Sequence, residues 1–338
     1  MFGIELTPEL RDAVHDLVAP SKKVAEAVKD MSDRYRAGEG ICPESDVDVA
    51  AYAAYRMPAI YAAVHAALEQ VRSVFPRWNP ESLLDVGAGP GTSMWAALSI
   101  WPDIQQVDLI ERDERMIRLG KQLASRSSSE AIRNARWSKA DAGDIRPGLK
   151  HDLVIMAYVL GELQERRGRT VERLWQSTGG VLLLVEPGTL AGFSRIREAR
   201  DDLLAQGARV VAPCPHGNAC PMSDKDWCHF SQRISRSRLH KQVKSGDLGY
   251  EDEKFSYVAA SRAADRPGAP KDPIPTAGRI LRHPQIRPGH IKFRVCTAKG
   301  LETIVVSKKD KDLFRKARDA KWGSPMPARH EPESSQES

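Results

Sequence analysis

Long apolar runs are missing from this 338-residue chain. None approaches the roughly 20 consecutive residues that a membrane-spanning helix needs, which excludes that class. The opening residues, MFGIELTPELRDAVHDL, lack a basic stretch followed by an apolar one and carry acids early. They read as neither a secretory nor a transit peptide, so a soluble cytoplasmic protein is expected. Cysteine is scarce, five in all, and in a reducing compartment clustered thiols point to metal binding rather than disulfides. Internal repeats are absent, which excludes a repeat architecture. The length suggests two domains, and a hydrophobic fraction of 41% supplies a core.

Charge is present but uneven. From Cys214 onward there are 24 Lys and Arg against 15 Asp and Glu; the preceding residues carry 27 against 30. A basic C-terminal part beside a near-neutral remainder suits a polyanionic partner, or is simply a solvated surface.

Apolar spacing predicts helices over 5–18 and from Ser21, the second with Val24, Val28, Met31 and Tyr35 on one stripe. An Ala-rich helical stretch over 47–75 is expected to bend at Pro58. Its tyrosines 52, 55 and 61 read as packing residues. Strands are then predicted at 82–86, 106–111, 135–140, 152–158 and 181–186, alternating with helices at 92–101, 113–125, 162–177 and 194–207. That alternation signals an α/β protein with a parallel sheet. Later come a strand at 254–262, a Pro-rich loop, a hairpin over 290–307 turning at Lys299-Gly300, a basic helix over 308–323 and a disordered tail. The domain reading is a helical N-terminal extension (1–78), a cofactor-binding α/β domain (79–210), a basic cysteine-containing module (211–323) and the tail (324–338).

Where the first strand meets its helix the sequence is LLDVGAGPGTS, with Asp85 ahead of Gly87, Gly89 and Gly91. Nicotinamide loops space their glycines G-x-G-x-x-G to cradle a pyrophosphate. Here the spacing is G-x-G-x-G, and an acid before it suits a cationic ligand without phosphates. The loop resembles motif I of class I S-adenosylmethionine-dependent methyltransferases. That resemblance implies a Rossmann-like fold, with Glu111 at the end of the second strand accepting the ribose hydroxyls and Asp141 after the third contacting the adenine. The simpler reading is that these acids cap helices. No Asn/Asp/Ser-Pro-Pro-aromatic box follows the fourth strand, where AYVLGEL stands instead; Tyr158 is a candidate to stack on a ligand and Glu162 a candidate base. The catalytic residues are left unassigned.

Cys214, Cys220 and Cys228 fall within fifteen residues, without the paired C-x2-C knuckles of zinc ribbons. Pro213-Cys214 is the dipeptide of cytosine C5 methyltransferases, but it lies beyond the fifth strand. Cys296 is a possible fourth thiolate; four suit a structural zinc or an iron–sulfur cluster, and the flanking prolines lean toward iron–sulfur. His216 and His229 are alternative or supporting groups, and Cys42 reads as a bystander. The segments PCPH, CPM, WCHFSQR and KFSYVA, behind VGAGPGT and Tyr-Arg-Met-Pro at 55–58, resemble a methyltransferase-like ribosome-assembly family found in bacteria and mitochondria. The resemblance covers about residues 47–310. It implies S-adenosylmethionine binding, a 4Fe–4S cluster on Cys214, Cys220, Cys228 and Cys296 (zinc being the alternative), and small-subunit rRNA as partner, with no membrane and a monomeric state. The family is described as rRNA methyltransferases, with mitochondrial members read as non-catalytic assembly factors; a small-molecule methyltransferase is a further alternative. Arg233, Arg236, Arg238, Lys241, Lys244, Arg279, Arg282, Arg287, Lys292 and Arg294 would meet phosphates. Trp227, Phe230 and Phe255 either stack on bases or pack around the cysteines.

Overall fold

The structure, a computed structural model, describes residues 3–18, 21–37, 43–146, 148–235, 250–262, 270–271 and 277–327, with side chains 35–37 excepted. Cys42, Arg236, Arg238, Lys241, Lys244, the Tyr35 side chain, most of the Pro-rich loop and the tail from 328 lie outside the described residues.

Four helices lead in: α1 (Pro8–Leu17), α2 (Lys22–Ala37), α3 (Asp46–Ala51) and α4 (Met57–Val74). Each start has a chemical cause. Thr7 accepts from the Leu10 amide, and Ser45 and Asp48 form a reciprocal capping box. The expected bend is instead a π-helical turn over Tyr52–Arg56. Pro58 has no N–H to give and its ring crowds the preceding turn, so the wider turn just before it absorbs the mismatch.

The α/β part is β1 (Ser82–Val86), α5 (Thr92–Ile100), β2 (Gln106–Glu111), α6 (Glu114–Ala124), α7 (Glu130–Arg133), β3 (Arg136–Lys139), β4 (His151–Ala157), α8 (Arg167–Gln176), β5 (Thr178–Pro187), α9 (Leu190–Ala205) and β6 (Arg209–Ala212). Two further strands, β7 (Phe230–Ser235) and β8 (Tyr250–Ser261), complete the sheet. The order is β3-β2-β1-β4-β5-β8-β6, with β7 also paired to β8. β1 to β5 run parallel, and β8 runs antiparallel between β5 and β6. This mixed, doubly wound sheet is the α/β, Rossmann-like arrangement expected from the sequence. Although β8 follows the cysteine segment in sequence, it lies inside the main sheet. β7 pairs with residues 250–255 of β8 and β6 with 259–261, on the edge opposite β5. The cysteine segment therefore leaves the sheet after β6 and rejoins the same edge at β7.

Strand alternation sorts the core. Leu83, Leu153, Ile155 and Leu183 face α4 and α5, in a cluster that also holds Leu10, Val14 and Val28 of the N-terminal helices. Leu84, Val154, Met156 and Leu182 face α8 and α9. β5 is buried along its length because both faces are covered, which is why it reads VLLLVE without alternation.

A second sheet has β9 (Gly278–Ile280) and β10 (Gln285–Arg287) on one edge of β11 (His290–Thr297) and β12 (Gly300–Ser307) on the other. A helix over Lys311–Asp319, shorter than expected, packs beside it. Residues 324–327, expected in the tail, belong to the fold instead: Met326 is buried, its amide bonded to the Gly278 carbonyl at 2.8 Å.

Candidate functional site

The strand order reverses between β1 and β4, and in open α/β sheets ligands bind at the carboxyl ends flanking such a point. A cavity of about 410 Å³ opens there, lined by Tyr52, Gly87, Gly89, Glu111, Asp141, Tyr158, Glu162 and Glu186, among others. Gly87, Gly89 and Gly91 have φ of +72°, +55° and +81°, conformations that L side chains avoid. A Cβ on Gly89 would stand 3.5 Å from the Tyr52 hydroxyl, so the missing side chain keeps the cavity open. Tyr52, expected to be packing, lines the cavity because the π turn aims it there.

Five of the seven predicted cofactor residues line this cavity: Gly87, Gly89, Glu111, Asp141 and Tyr158. Gly91 lies behind, at the start of α5. Asp85 lies beneath the loop, 1% exposed, and neither carboxylate oxygen makes a well-formed hydrogen bond, the Met94 amide and Ser93 hydroxyl being its nearest donors. Burial, and then the nearby Glu111 charge, push it up to about 7; the Met94 amide and Ser93 hydroxyl only partly oppose this. A buried carboxylate without a partner is costly, and a cation above it would relieve that cost.

Glu111 accepts from the Gly89 amide and the Asp113 amide, both at 2.8 Å. Each oxygen keeps a second lone pair for a hydroxyl. Asp141 caps a short 3-10 turn through the Gly143 amide at 2.8 Å and pairs with Arg166 at 3.0 Å. Burial alone would raise it; the Gly143 amide, Arg166 and Arg112 together hold it below the usual range. Asp141 thus both caps a turn and lines the cavity.

Tyr158 has φ +62°, and its hydroxyl donates to Glu253 Oε1 at 2.8 Å. Arg56 reaches the same oxygen at 3.4 Å, with its guanidinium 5.5 Å from the Tyr158 ring centre. Glu253 and Glu186 were not anticipated. Glu186 ends β5 and accepts from the Leu160 amide and from Arg195. An acid at the carboxyl end of a buried strand was the signal available in sequence. Glu162, the candidate base, pairs with Arg112 at 2.8 Å, and burial pushes its carboxyl up.

A second, apolar cavity of about 30 Å³ brings together Cys214, Cys220, Cys228 and Cys296, with His216. His216 Nε2 lies 3.5 Å from Cys296 Sγ. Burial pushes the Cys214 and Cys228 thiols up and Cys296 to about 12. Among the described residues no three His, Cys, Asp or Glu side chains are already spaced as metal ligands. Arg200 of α9, absent from the sequence reading, holds the segment by bonding the His216 and Asn218 carbonyls. Ser256 of β8 donates to the Cys228 carbonyl at 2.8 Å. α9 therefore lines both cavities, through Arg195 and Arg200, and β8 lines the cysteine cavity through Tyr257.

Phe230 and Phe255 are buried against Tyr257, and Trp227 donates to the Gly188 carbonyl while stacking on His229. They are packing residues. Three predicted phosphate ligands are also structural. Arg279 is 1% exposed and donates to the Pro213 and Gly323 carbonyls at 2.8 Å. Arg282 pairs with Asp226, and Arg233 with Asp252.

Residues 46–327 match the family described as Rsm22, mitochondrial small ribosomal subunit. The chain belongs to the Rsm22 family. This Rsm22-family chain is 31% identical over 294 residues to the human mitochondrial ribosome assembly protein METTL17, covering 82% of itself and 62% of that protein. It is 26% identical over 328 residues to the mitochondrial Rsm22-cox11 tandem protein 2 of Schizosaccharomyces pombe, covering 84% of itself and 43% of that protein. The chain thus spans less than two thirds of either relative. Among solved structures, the magnesium protoporphyrin IX methyltransferase of Synechocystis is 13% identical with a TM-score of 0.39, covering 72% of this chain and all of that one. The expectation of a cytoplasmic protein is overturned, because these curated relatives of the Rsm22-family chain are mitochondrial proteins. Fold and surface chemistry do not encode an address, so the composition of the opening residues was a poor guide. Among the described residues no helix is long and apolar enough to cross a membrane.

Proposed function

We propose that this chain is an S-adenosylmethionine-binding protein of methyltransferase fold that acts on or binds rRNA of the assembling small ribosomal subunit. The observation that carries the cofactor reading is Asp85, a buried carboxylate without a well-formed hydrogen bond or an ion pair, beneath three left-handed glycines. Bound there, the cofactor would supply a methyl group on a positively charged sulfur. Asp85 would offset that ligand's charge, the glycine loop would admit it closely, and Glu111 would accept its ribose hydroxyls. Asp141 would meet the adenine and Tyr158 would stack against the ligand. Calorimetric titration tests this: wild type should bind S-adenosylmethionine, and Asp85→Ala and Glu111→Ala should each lose at least tenfold in affinity while still folded. Unchanged affinity in both variants would overturn it.

The partner reading is supported by the family match and by the ribosome-assembly description of METTL17. Non-catalytic assembly is favoured by one further observation. Tyr158, Glu162 and Glu186 are each already bonded, to Glu253, Arg112 and Arg195. No uncommitted base among them faces the cavity. Transfer of labelled methyl groups to small-subunit rRNA by wild type would defeat that second reading.

The metal reading is supported by four thiols lining one cavity beside a histidine. Cys214, Cys220, Cys228 and Cys296 would hold a 4Fe–4S cluster, zinc being the rival. Anaerobically purified protein should contain iron and sulfide; stoichiometric zinc without iron would reverse the choice.

A further inference from the structure

The second sheet has two unlike faces. Ile291, Phe293 and Val295 of β11 alternate into the core beside the helix Lys311–Asp319. His290, Lys292, Arg294 and Cys296 therefore share the opposite face. The register sets Arg287 opposite His290, Gln285 and Val305 opposite Lys292, and Thr303 opposite Arg294. Directly paired residues project to one side, so these too belong to the Cys296 face.

One end of that face is covered, since Cys296 packs with Phe193, Met222 and Leu281. The other end is bare. Arg287, His290, Lys292 and Arg294 are exposed, and Val305 is 56% exposed. No carboxylate stands among them; the one acid of these strands, Glu302, pairs opposite Val295 and bonds Thr297. Among the described residues no ion pair engages Arg287, Lys292 or Arg294. Arg279 and Arg282, by contrast, are spent on internal contacts.

We propose that this face of β10, β11 and β12 is a contact surface for the sugar–phosphate backbone of RNA. The proposal rests on the reading of rRNA as partner and names the surface that meets it. Three uncompensated cations on paired strands form a rigid array, with Lys292 and Arg294 about 7 Å apart along β11. A polyanion gains from such an array by releasing its counterions. The face carries no Phe, Tyr or Trp, and a single imidazole, His290, so it holds backbone rather than a run of stacked bases, and binding through it is largely indifferent to sequence. Thr303 and Val305 offer the short polar and apolar contacts that suit ribose. β11 also carries Cys296, so the cysteine site fixes how this surface sits on the methyltransferase-fold domain.

The test is equilibrium binding of the full chain to an RNA hairpin over a salt series. Arg287→Ala, Lys292→Ala and Arg294→Ala are compared with Arg77→Ala, an exposed arginine just ahead of β1, and melting curves check folding. Each face variant should lower the slope of log affinity against log salt by roughly 0.7–0.9, the contribution of one phosphate contact. Arg77→Ala should leave it unchanged. The proposal is overturned if the three face variants keep the wild-type slope, or if Arg77→Ala loses as much. Wild type that binds no RNA would overturn the partner reading as well, which separates the two failures. RNA binding intact in all variants, with association with the assembling subunit lost, would give the face to an acidic protein and also overturn the proposal.

Discussion

Arg56 and Glu253 meet at 3.4 Å across 197 residues of sequence, with side chains 3% and 10% exposed. Their contact joins the π turn to β8, and Tyr158 completes it from the end of β4. Losing one partner of such a pair leaves a buried charge, at about 3–5 kcal/mol. Glu253→Gln should cost that much in denaturant unfolding, while Tyr158→Phe, which loses one hydrogen bond, should cost about 1–2 kcal/mol. The double variant should fall short of the sum, because the three groups form one network.

Asp85 makes a pH prediction. Its folded carboxyl sits at about 7 against an ordinary 3.8, so the folded state holds its proton more tightly than the unfolded chain does. That group therefore costs nothing at low pH, costs progressively more as pH rises between the two values, and costs a constant amount above. Asp85→Asn should melt higher than wild type at pH 8 and lose that advantage by pH 4, while binding S-adenosylmethionine more weakly at pH 8. Equal stability differences at both pH values would count against a buried, unpaired Asp85.

The first two loop glycines should respond differently. A Cβ at Gly87 would meet Val159 Cγ2 at 2.4 Å, a stiff β-branched neighbour, whereas at Gly89 its nearest contact is at an ordinary 3.5 Å. Both pay roughly 1–2 kcal/mol for a left-handed backbone. Gly87→Ala should therefore lower the melting temperature more than Gly89→Ala, and Gly89→Ala should lose cofactor affinity while staying folded. Thermal melting and calorimetry on both variants decide this.

Arg200 is 3% exposed and bonds two carbonyls of the cysteine segment. Arg200→Met keeps its bulk but orphans both acceptors, which costs about 1–3 kcal/mol each when buried. The variant should lower metal content per chain, read by elemental analysis, while S-adenosylmethionine affinity stays within twofold. A proportional loss of both would mean that α9 itself had unfolded.

Much of the α/β part was legible in sequence because its signals are local. β1 and β2 fall at 82–86 and 106–111 as predicted, since each is a short apolar run bounded by polar or glycine-rich residues. The G-x-G-x-G spacing marked the cavity for the same reason: left-handed backbone demands glycine at those positions. Other features depend on what tertiary packing brings alongside. Phe230–Ser235 has no marked strand pattern alone and becomes β7 because β8 offers it an edge. Arg279 and Arg287 look alike in a basic segment, yet one is walled in by carbonyls and the other open to solvent. The amino-acid sequence by itself determined the strand–helix alternation, the glycine cradle and the thiol count, since these follow from side-chain period and backbone sterics. Only the tertiary structure decided that Asp85 is sealed beneath the loop, and which cations among the described residues lack an ion pair. Those outcomes rest on long-range strand pairing and burial, which no local pattern encodes.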